Sequence, residues 1–387
     1  MLAVALPSVL TLLAAAVLAF SSHASAAVEA KLPATTGSRE VGTRALEVVD
    51  RSRRAGFGLS GPRRLMVQIT YPREAGARCR PAPYAPGGIV DRIRREVELD
   101  DQLEIETGIC RGGAMRRGRH PVLVLSHAYL ADRFLYTALA GELASHGFIV
   151  ASIDHTGEAF SVRFPGRGYV DGIYGGVLTG AEPDDLGSLV DVRSADASFV
   201  LSRLRTLGHR ANGLLGDHVG RAAGVLGHSL GGATATQAAI EDGRFDAAAN
   251  LDGELWSEPA LSAAAPFPYL MAVAGDAPVA AAFRALNVCD FYQRARGSRF
   301  AWLLPDAMHF SYSDFQVIAP AIAAQVPGWA FAGTYPSVVG TVDPEVSIAS
   351  QRQALVRYFE STLVRRRGMP PPPGAFTAAP ESMLDCL

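Results

Sequence analysis

Short apolar runs alternate with amphipathic stretches along most of the chain. Pro121-Val122-Leu123-Val124-Leu125 carries no polar side chain and is bounded by turn-forming residues, the pattern of a strand covered on both faces. Leu135, Leu139 and Leu143 follow at a four-residue spacing that lines one side of a helix, and Gly147 supplies its stop. Phe148-Ile149-Val150-Ala151-Ser152-Ile153 is a second buried strand, so a βαβ unit fits into about 33 residues. After an insertion from Gly157 to Gly187, the pattern predicts a helix over Asp185 to Arg205 whose apolar side is Val192, Ala195, Phe199, Val200 and Leu204. Strands are predicted near Ala222 to Leu226, Ala247 to Leu251, Pro268 to Ala274 and Phe300 to Leu304, with helices over Gly231 to Glu241 and Ser347 to Val364. Upstream, Leu65-Met66-Val67-Gln68-Ile69-Thr70-Tyr71 alternates like a strand and stops at Pro72. Ala27 to Arg54 shows no clear period, Pro81 to Gly88 reads as loop, and Asp91 to Asp101 reads as a charged, exposed helical segment.

Alternating strands and helices of these lengths define an α/β fold with a mostly parallel central sheet and helices on both faces. One domain, residues 27–368, accommodates them. The four consecutive prolines from Pro370 to Pro373 cannot continue a helix, so residues 369–387 are expected to form a proline-rich C-terminal tail.

Composition narrows the partners. Of 387 residues, 49% are apolar and 19% charged, which supports a large core and excludes a disordered or coiled-coil chain. The 36 basic residues nearly match the 38 acidic ones, so no basic footprint calls for nucleic acid. Lys31 is the only lysine, which reads as codon bias rather than chemistry.

Val9 to Phe20 is uncharged, too short to span a membrane, and followed by Ala24-Ser25-Ala26, a small-residue cleavage pattern. Residues 1–26 are therefore expected to be a signal peptide, although the first residues lack Lys or Arg; an uncleaved anchor or a buried helix is the other reading. Cleavage would export the chain to the periplasm or the medium, where disulfides persist. Cys79, Cys110, Cys289 and Cys386 permit two bridges in three connectivities, of which Cys79 with Cys110 and Cys289 with Cys386 is expected; four free buried thiols are the alternative. None has a metal-binding spacing, and no metal or cofactor is expected.

The chemistry centres on Gly227-His228-Ser229-Leu230-Gly231-Gly232, between a predicted strand and a predicted helix. A G-x-S-x-G in that context is a nucleophile elbow, with Ser229 as nucleophile, although a helix N-cap serine would give a similar string. A serine hydroxyl needs a base, and in this strand–turn–helix order the acid and the histidine follow the serine. Of nine histidines only His309 lies beyond Ser229. Asp252 and Asp276 each end an apolar strand, and position alone does not separate them as the acid. The oxyanion hole is expected from the backbone N–H of Leu230 and that of Tyr129, in the loop Ser126-His127-Ala128-Tyr129. His127 precedes the serine and reads as a brace for that loop.

These segments resemble the platelet-activating factor acetylhydrolase family of α/β-hydrolases, the calcium-independent lipoprotein-associated phospholipases and their bacterial relatives. The resemblance runs through Leu65-Met66-Val67-Gln68 with Tyr71-Pro72, Val124-Leu125-Ser126-His127, Leu143-Ala144-Ser145-His146-Gly147-Phe148-Ile149-Val150, the elbow, Leu251-Asp252, and His309-Phe310 with Asp314-Phe315. It implies Asp252 as the acid, and hydrolysis of short or oxidised acyl esters of phospholipids without calcium. Ala128 stands where the family has glycine, and Tyr129 where it has a leucine-like residue, which bears on pocket width and acyl length. Dienelactone hydrolases and polyester-cleaving cutinases share the elbow, so an esterase of non-phospholipid esters is the alternative. A silent binding module is disfavoured, having no reason to keep elbow, acid and downstream histidine in order. Phe164, Tyr169 and Tyr174, with Trp329, Phe331 and Tyr335, are read as core aromatics or as an aromatic mouth for lipid. Arg116, Arg117, Arg119 and His120 are read as a solvated loop, with contact to anionic lipid headgroups as the alternative.

Overall fold

The computed structural model describes residues 27–76, 78–175, 185–208, 215–275, 288–365 and 374–378. The proposed leader, residues 1–26, lies outside them. So do Asp276 and Cys386.

Parallel strands form the centre of a ten-stranded sheet. In chain order its strands are β2 (Val41–Gly56), β3 (Leu59–Pro72), β5 (Cys110–Arg111), β6 (His120–Ser126), β7 (Ile149–Asp154), β10 (Val219–His228), β11 (Ala247–Leu251), β12 (Tyr269–Ala274), β13 (Arg299–Leu304) and β14 (Thr377–Ala378). Across the sheet the order is β14-β13-β12-β11-β10-β6-β7-β3-β2-β5. From β13 to β7 every pairing is parallel; β3 joins β7 antiparallel and forms a long hairpin with β2. Two small sheets lie outside: β1 (Val28–Lys31) with β4 (Leu103–Glu106), and the hairpin β8 (Ser161–Phe164) with β9 (Gly168–Asp171).

The unbroken apolar runs have a simple cause. Val122 and Val124 of β6 face a core beneath α3 (Leu186–Gly208) and α4 (Leu230–Glu241), while Leu123 and Leu125 face a second core beneath α2 (Thr137–Ser145) and α9 (Pro344–Phe359). Both faces are covered, so no position is left for polar alternation. Truncating one such leucine to alanine removes about 2–5 kcal/mol of stability. Between α2 and α9 run shorter helices, α5 (Glu258–Ser262), α6 (Val288–Arg294), α7 (Phe315–Gln325) and α8 (Pro336–Val339), and α1 (Ile89–Glu96) precedes β4. No helix among the described residues is long and apolar enough to cross a membrane.

Three sequence expectations change. Ala27 to Arg54, read as lacking a period, holds β1 and the 16-residue β2. The alternation of β2 is diluted by charges on both faces: the half-buried Glu47 pairs with Arg64 at 2.6 Å, and the buried Asp50, on the face of Val48, pairs with Arg53 at 2.7 Å. The insertion from Gly157 to Gly187 contains the β8–β9 hairpin. Part of the expected tail returns: residues 374–378 pack on the domain, with Phe376 buried against Trp302 at 6.0 Å and β14 antiparallel to β13.

Cys79 and Cys110 form the expected disulfide. Cys289 is also disulfide-bonded, and Cys386, its expected partner, falls outside the described residues. Near the other end of the chain, Arg352 of α9 is buried and donates to the carbonyls of Pro33 (2.8 Å), Ala34 (3.0 Å) and Ala138 (3.1 Å).

Candidate active site

The candidate residues gather beyond the carboxyl ends of β6, β10, β11 and β13, the edge at which open α/β sheets bind ligands. β10 ends at His228, and Ser229 turns sharply into α4 with φ 57° and ψ −127°. That left-handed backbone is costly for serine. It is held by three hydrogen bonds: the Ser229 N–H donates to Leu251 C=O at 2.9 Å, and the Ser229 C=O accepts from Gly232 at 2.7 Å and Ala233 at 3.2 Å. The surrounding glycines answer to close approach. A Cβ on Gly227 would meet the Gly231 carbonyl oxygen at 2.1 Å, and one on Gly231 would meet the Ser126 carbonyl oxygen at 2.2 Å.

Asp252, just past β11, also has a positive φ, 52°. Its N–H donates to Ala272 C=O at 2.7 Å and its Oδ1 accepts from the Ala274 N–H at 2.9 Å, so β12 fixes the carboxylate from both sides. Oδ2 lies 2.7 Å from His309 Nδ1. A carboxylate only accepts, so Nδ1 carries the proton of this bond, and in the neutral ring the lone pair is then on Nε2. The Asp252 side chain is 2% exposed and that of His309 38%, which makes the ring the open end of the pair. Asp276, the other acid considered, lies two residues past β12, outside the described residues.

His228 was not singled out by the sequence. Its buried ring lies 4.6 Å from that of His309, and Phe310 meets both, at 5.9 Å and 5.5 Å, so the open end of the pair rests on an aromatic floor. Burial, then the neighbouring His309, holds His228 well below the usual histidine range. The Tyr136 hydroxyl bonds His228 Nδ1 at 2.9 Å and accepts the Ala128 N–H at 2.9 Å, tying elbow to loop.

In the loop after β6, the Ala128 N–H is thus engaged by Tyr136, and the Leu130 N–H by Glu158 at 2.9 Å. Tyr129 lies between them, half-buried, its ring 5.9 Å from Tyr174. Leu230 opens α4 directly after the serine. His127 points inward: it is fully buried, takes the His155 N–H on Nε2 at 3.3 Å and donates from Nδ1 to the Ala128 carbonyl at 2.6 Å. Burial and the facing Arg193 hold it neutral.

The aromatic candidates divide. Tyr174 stands over the loop, whereas Trp329 is buried, bonds the Val97 carbonyl through Nε1 at 2.7 Å and stacks on Tyr335 at 6.2 Å. Phe164 is buried and Tyr169 carries Arg92 over its ring at 4.1 Å. An apolar recess of about 60 Å3 opens beside Phe310, lined also by Leu135, Phe160 and Phe315. Arg116, Arg117 and Arg119 are exposed at the amino end of β6, a strand length of roughly 20 Å from the candidate site, and His120 is buried between the Gly147 and Arg116 carbonyls. The arginines therefore face away from the edge that carries Ser229. Among the described residues no group of three or more His, Cys, Asp or Glu is arranged to hold a metal ion.

A parallel sheet with a serine elbow after its central strand and a histidine–carboxylate pair from two later loops is the architecture of the α/β-hydrolases. The family model for platelet-activating factor acetylhydrolase, isoform II, matches residues 103–164 and 212–367, more than half of the chain. The chain belongs to that family. A probable 1-alkyl-2-acetylglycerophosphocholine esterase of Arthroderma benhamiae is 28% identical over 59% of this chain and 60% of its own. The platelet-activating factor acetylhydrolase of Canis lupus familiaris is 32% identical over 36% of each chain. The match thus spans less than two thirds of either relative. Among solved structures, a ferulic acid esterase from Streptomyces cinnamoneus superposes with a TM-score of 0.72 at 30% identity, over 88% of this chain and 94% of its own.

Proposed function

We propose that this chain is an exported, calcium-independent serine esterase that removes short acyl groups from phospholipid-like esters. The observation that carries the reading is the 2.7 Å pair of His309 and Asp252 beside a serine held on a strained elbow. His309 Nε2 takes the Ser229 proton as Oγ bonds to the ester carbonyl carbon. The oxyanion that develops is met by the N–H groups of Leu230 and Tyr129. His309 then passes its proton to the departing alkoxide as the carbon–oxygen bond breaks, leaving an acyl-enzyme. Water, deprotonated by the same ring, releases the acid and restores the serine. Asp252 keeps the ring in the tautomer this cycle needs. No step uses a metal.

A lipid-like substrate is supported by the names of the two relatives and by the apolar recess beside Phe310. Ile173 and Trp256, two of the four large apolar side chains left exposed among the described residues, stand beside Tyr174 and after the Asp252 turn, which suits peripheral contact with a lipid surface. A second reading, an esterase of other small or aromatic esters, is favoured by the near-complete overlay with the Streptomyces esterase.

The test is hydrolysis of p-nitrophenyl acetate, butyrate and palmitate by the mature chain and by Ser229→Ala, followed by 2-acetyl phosphatidylcholine against ethyl ferulate. Activity on short esters that disappears in Ser229→Ala is expected, with preference for the phospholipid. Preference for the ferulate selects the second reading, and activity surviving in the variant overturns both.

A further inference from the structure

A second serine–histidine–carboxylate line lies inside the protein. Ser126 Oγ is 2.9 Å from His155 Nε2, and His155 Nδ1 is 3.0 Å from Asp196 Oδ2. The spacing is that of a nucleophilic triad, yet all three residues are fully buried, so no ester reaches Ser126. The line must act on the protein itself.

The hydrogen bonds show on what. Asp196 accepts from Nδ1, so the His155 Nε2 accepts the hydrogen bond of the Ser126 hydroxyl and pins the end of β6, where the loop begins. The backbone N–H of the same His155 fixes the His127 ring through Nε2, and the His127 Nδ1–H in turn holds the Ala128 carbonyl at 2.6 Å. Arg193 closes the arrangement from α3, donating to the His127 carbonyl at 2.7 Å, the Ala128 carbonyl at 3.3 Å and Glu158 at 2.6 Å. Glu158 holds the Leu130 N–H at 2.9 Å. In a planar trans peptide the carbonyl and the following N–H point in opposite directions. With the Ala128 carbonyl drawn toward Arg193, the Tyr129 N–H is aimed away from it.

Charge balance lets this network sit dry. Arg53 and Arg63 meet Asp50 and Asp196, and Arg193 meets Glu158, while burial, then the charge of Arg193, keeps His127 and His155 neutral. Its members are therefore held in one geometry rather than sampling several.

We propose that the Ser126–His155–Asp196 line, acting with Arg193, is the positioning device that aims the Tyr129 N–H at the developing oxyanion. It serves transition-state stabilisation and not substrate binding. The inference rests on the reading of Tyr129 as an oxyanion donor given above.

The test is Ser126→Ala, which unpins the loop at its origin without leaving a charge unpaired. Outer groups that orient the ligands of a metal site typically change activity by about 10- to 100-fold, and a group that orients an oxyanion donor is expected to act on that scale. The expected result is a kcat lower by about that factor with KM within about twofold of the parent. Affinity for an alkylboronic acid, a mimic of the tetrahedral oxyanion, should fall by the same factor. Ser194→Ala serves as the control, removing a buried hydroxyl from the same helix that carries Arg193, where it bonds Glu241 at 2.7 Å. It should leave kcat unchanged. Ser126→Cys, which keeps a weak donor at the same place, should lie between the parent and Ser126→Ala and covers the case in which the alanine variant does not fold. An unchanged kcat in both Ser126 variants, a change confined to KM, or an equal loss in Ser194→Ala overturns the proposal while leaving the Ser229 chemistry intact. Activity that persists in Ser229→Ala overturns that chemistry instead.

Discussion

Ser229 should cost the protein stability, and the cost can be measured without reference to catalysis. Its φ of 57° with ψ −127° is a conformation that L residues avoid and glycine adopts freely. Holding a non-glycine residue there costs about 1–3 kcal/mol. Ser229→Ala keeps the Cβ and hence the strain, whereas Ser229→Gly relieves it. Glycine gives back roughly 0.5–1 kcal/mol through its greater freedom in the unfolded chain. Both variants lack Oγ, so anything the hydroxyl contributes cancels between them. Ser229→Gly is therefore expected to be more stable than Ser229→Ala by about 1–2 kcal/mol, with neither hydrolysing p-nitrophenyl acetate. Urea unfolding at neutral pH reads the difference directly, provided the two denaturation slopes agree. An alanine variant with a midpoint equal to or above that of the glycine variant would refute the reasoning. The three backbone hydrogen bonds at the elbow would then define an unstrained turn.

Asp252→Asn removes the acceptor that orients His309 and should lower kcat by about a thousandfold or more, with the unfolding midpoint nearly retained; more than a tenth of the parent rate remaining would remove Asp252 from the scheme. Burial, then the charge of Arg193, drops His155 from 6.5 to about 4. Between those values the unfolded chain binds a proton that the folded chain refuses, so stability present above pH 6.5 is lost as pH falls toward 4. His155→Gln lacks this linkage, and the stability gap between parent and variant should narrow by roughly 2 kcal/mol from pH 7.5 to pH 5 in urea titrations; a constant gap contradicts it. Gly231→Ala places a Cβ 2.2 Å from the Ser126 carbonyl oxygen, so either backbone must shift; a loss of about 1–3 kcal/mol together with a fall in kcat is expected in unfolding and esterase assays. Cys110→Ala opens the bridge to Cys79, a sequence separation of 31, and should cost roughly 3–4 kcal/mol in denaturant unfolding.

The parts of the fold legible in the sequence are those in which one physical demand acts alone. β6, β7, β11 and β12 are covered on both faces, so they read as mostly apolar runs with isolated polar positions such as Ser152 and Asn250. The elbow is legible because close backbone approach admits only glycine at Gly227 and Gly231. β2 was missed because charges on both of its faces mask the alternation, and β14 because Phe376 is the one buried side chain of the short described segment 374–378. His309 stood out as the sole histidine after the serine. The groups that hold the loop did not: Arg193 meets His127 across 66 positions, and a buried arginine looks like any other in a chain rich in arginine. The only local signal for His155 and Glu158 is two titratable residues just past a buried strand. His228 occupies the variable position of the elbow pattern, so nothing in the pattern marks it as the floor under His309.

The clasp made by Arg352 sets the order in which the protein can be completed. This side chain, 318 and 319 positions from the carbonyls of Ala34 and Pro33, joins the first described segment to the last long helix and to Ala138 of α2. A ribosome that has released α2 has produced a helix whose packing partner α9 does not yet exist. Completion waits for synthesis to pass residue 352, and until then the growing polypeptide presents the apolar underside of α2 to whatever surrounds it. The two ends of the described chain thus depend on one another, and removing α9 would loosen the segment at Pro33 and Ala34 as well as its own end.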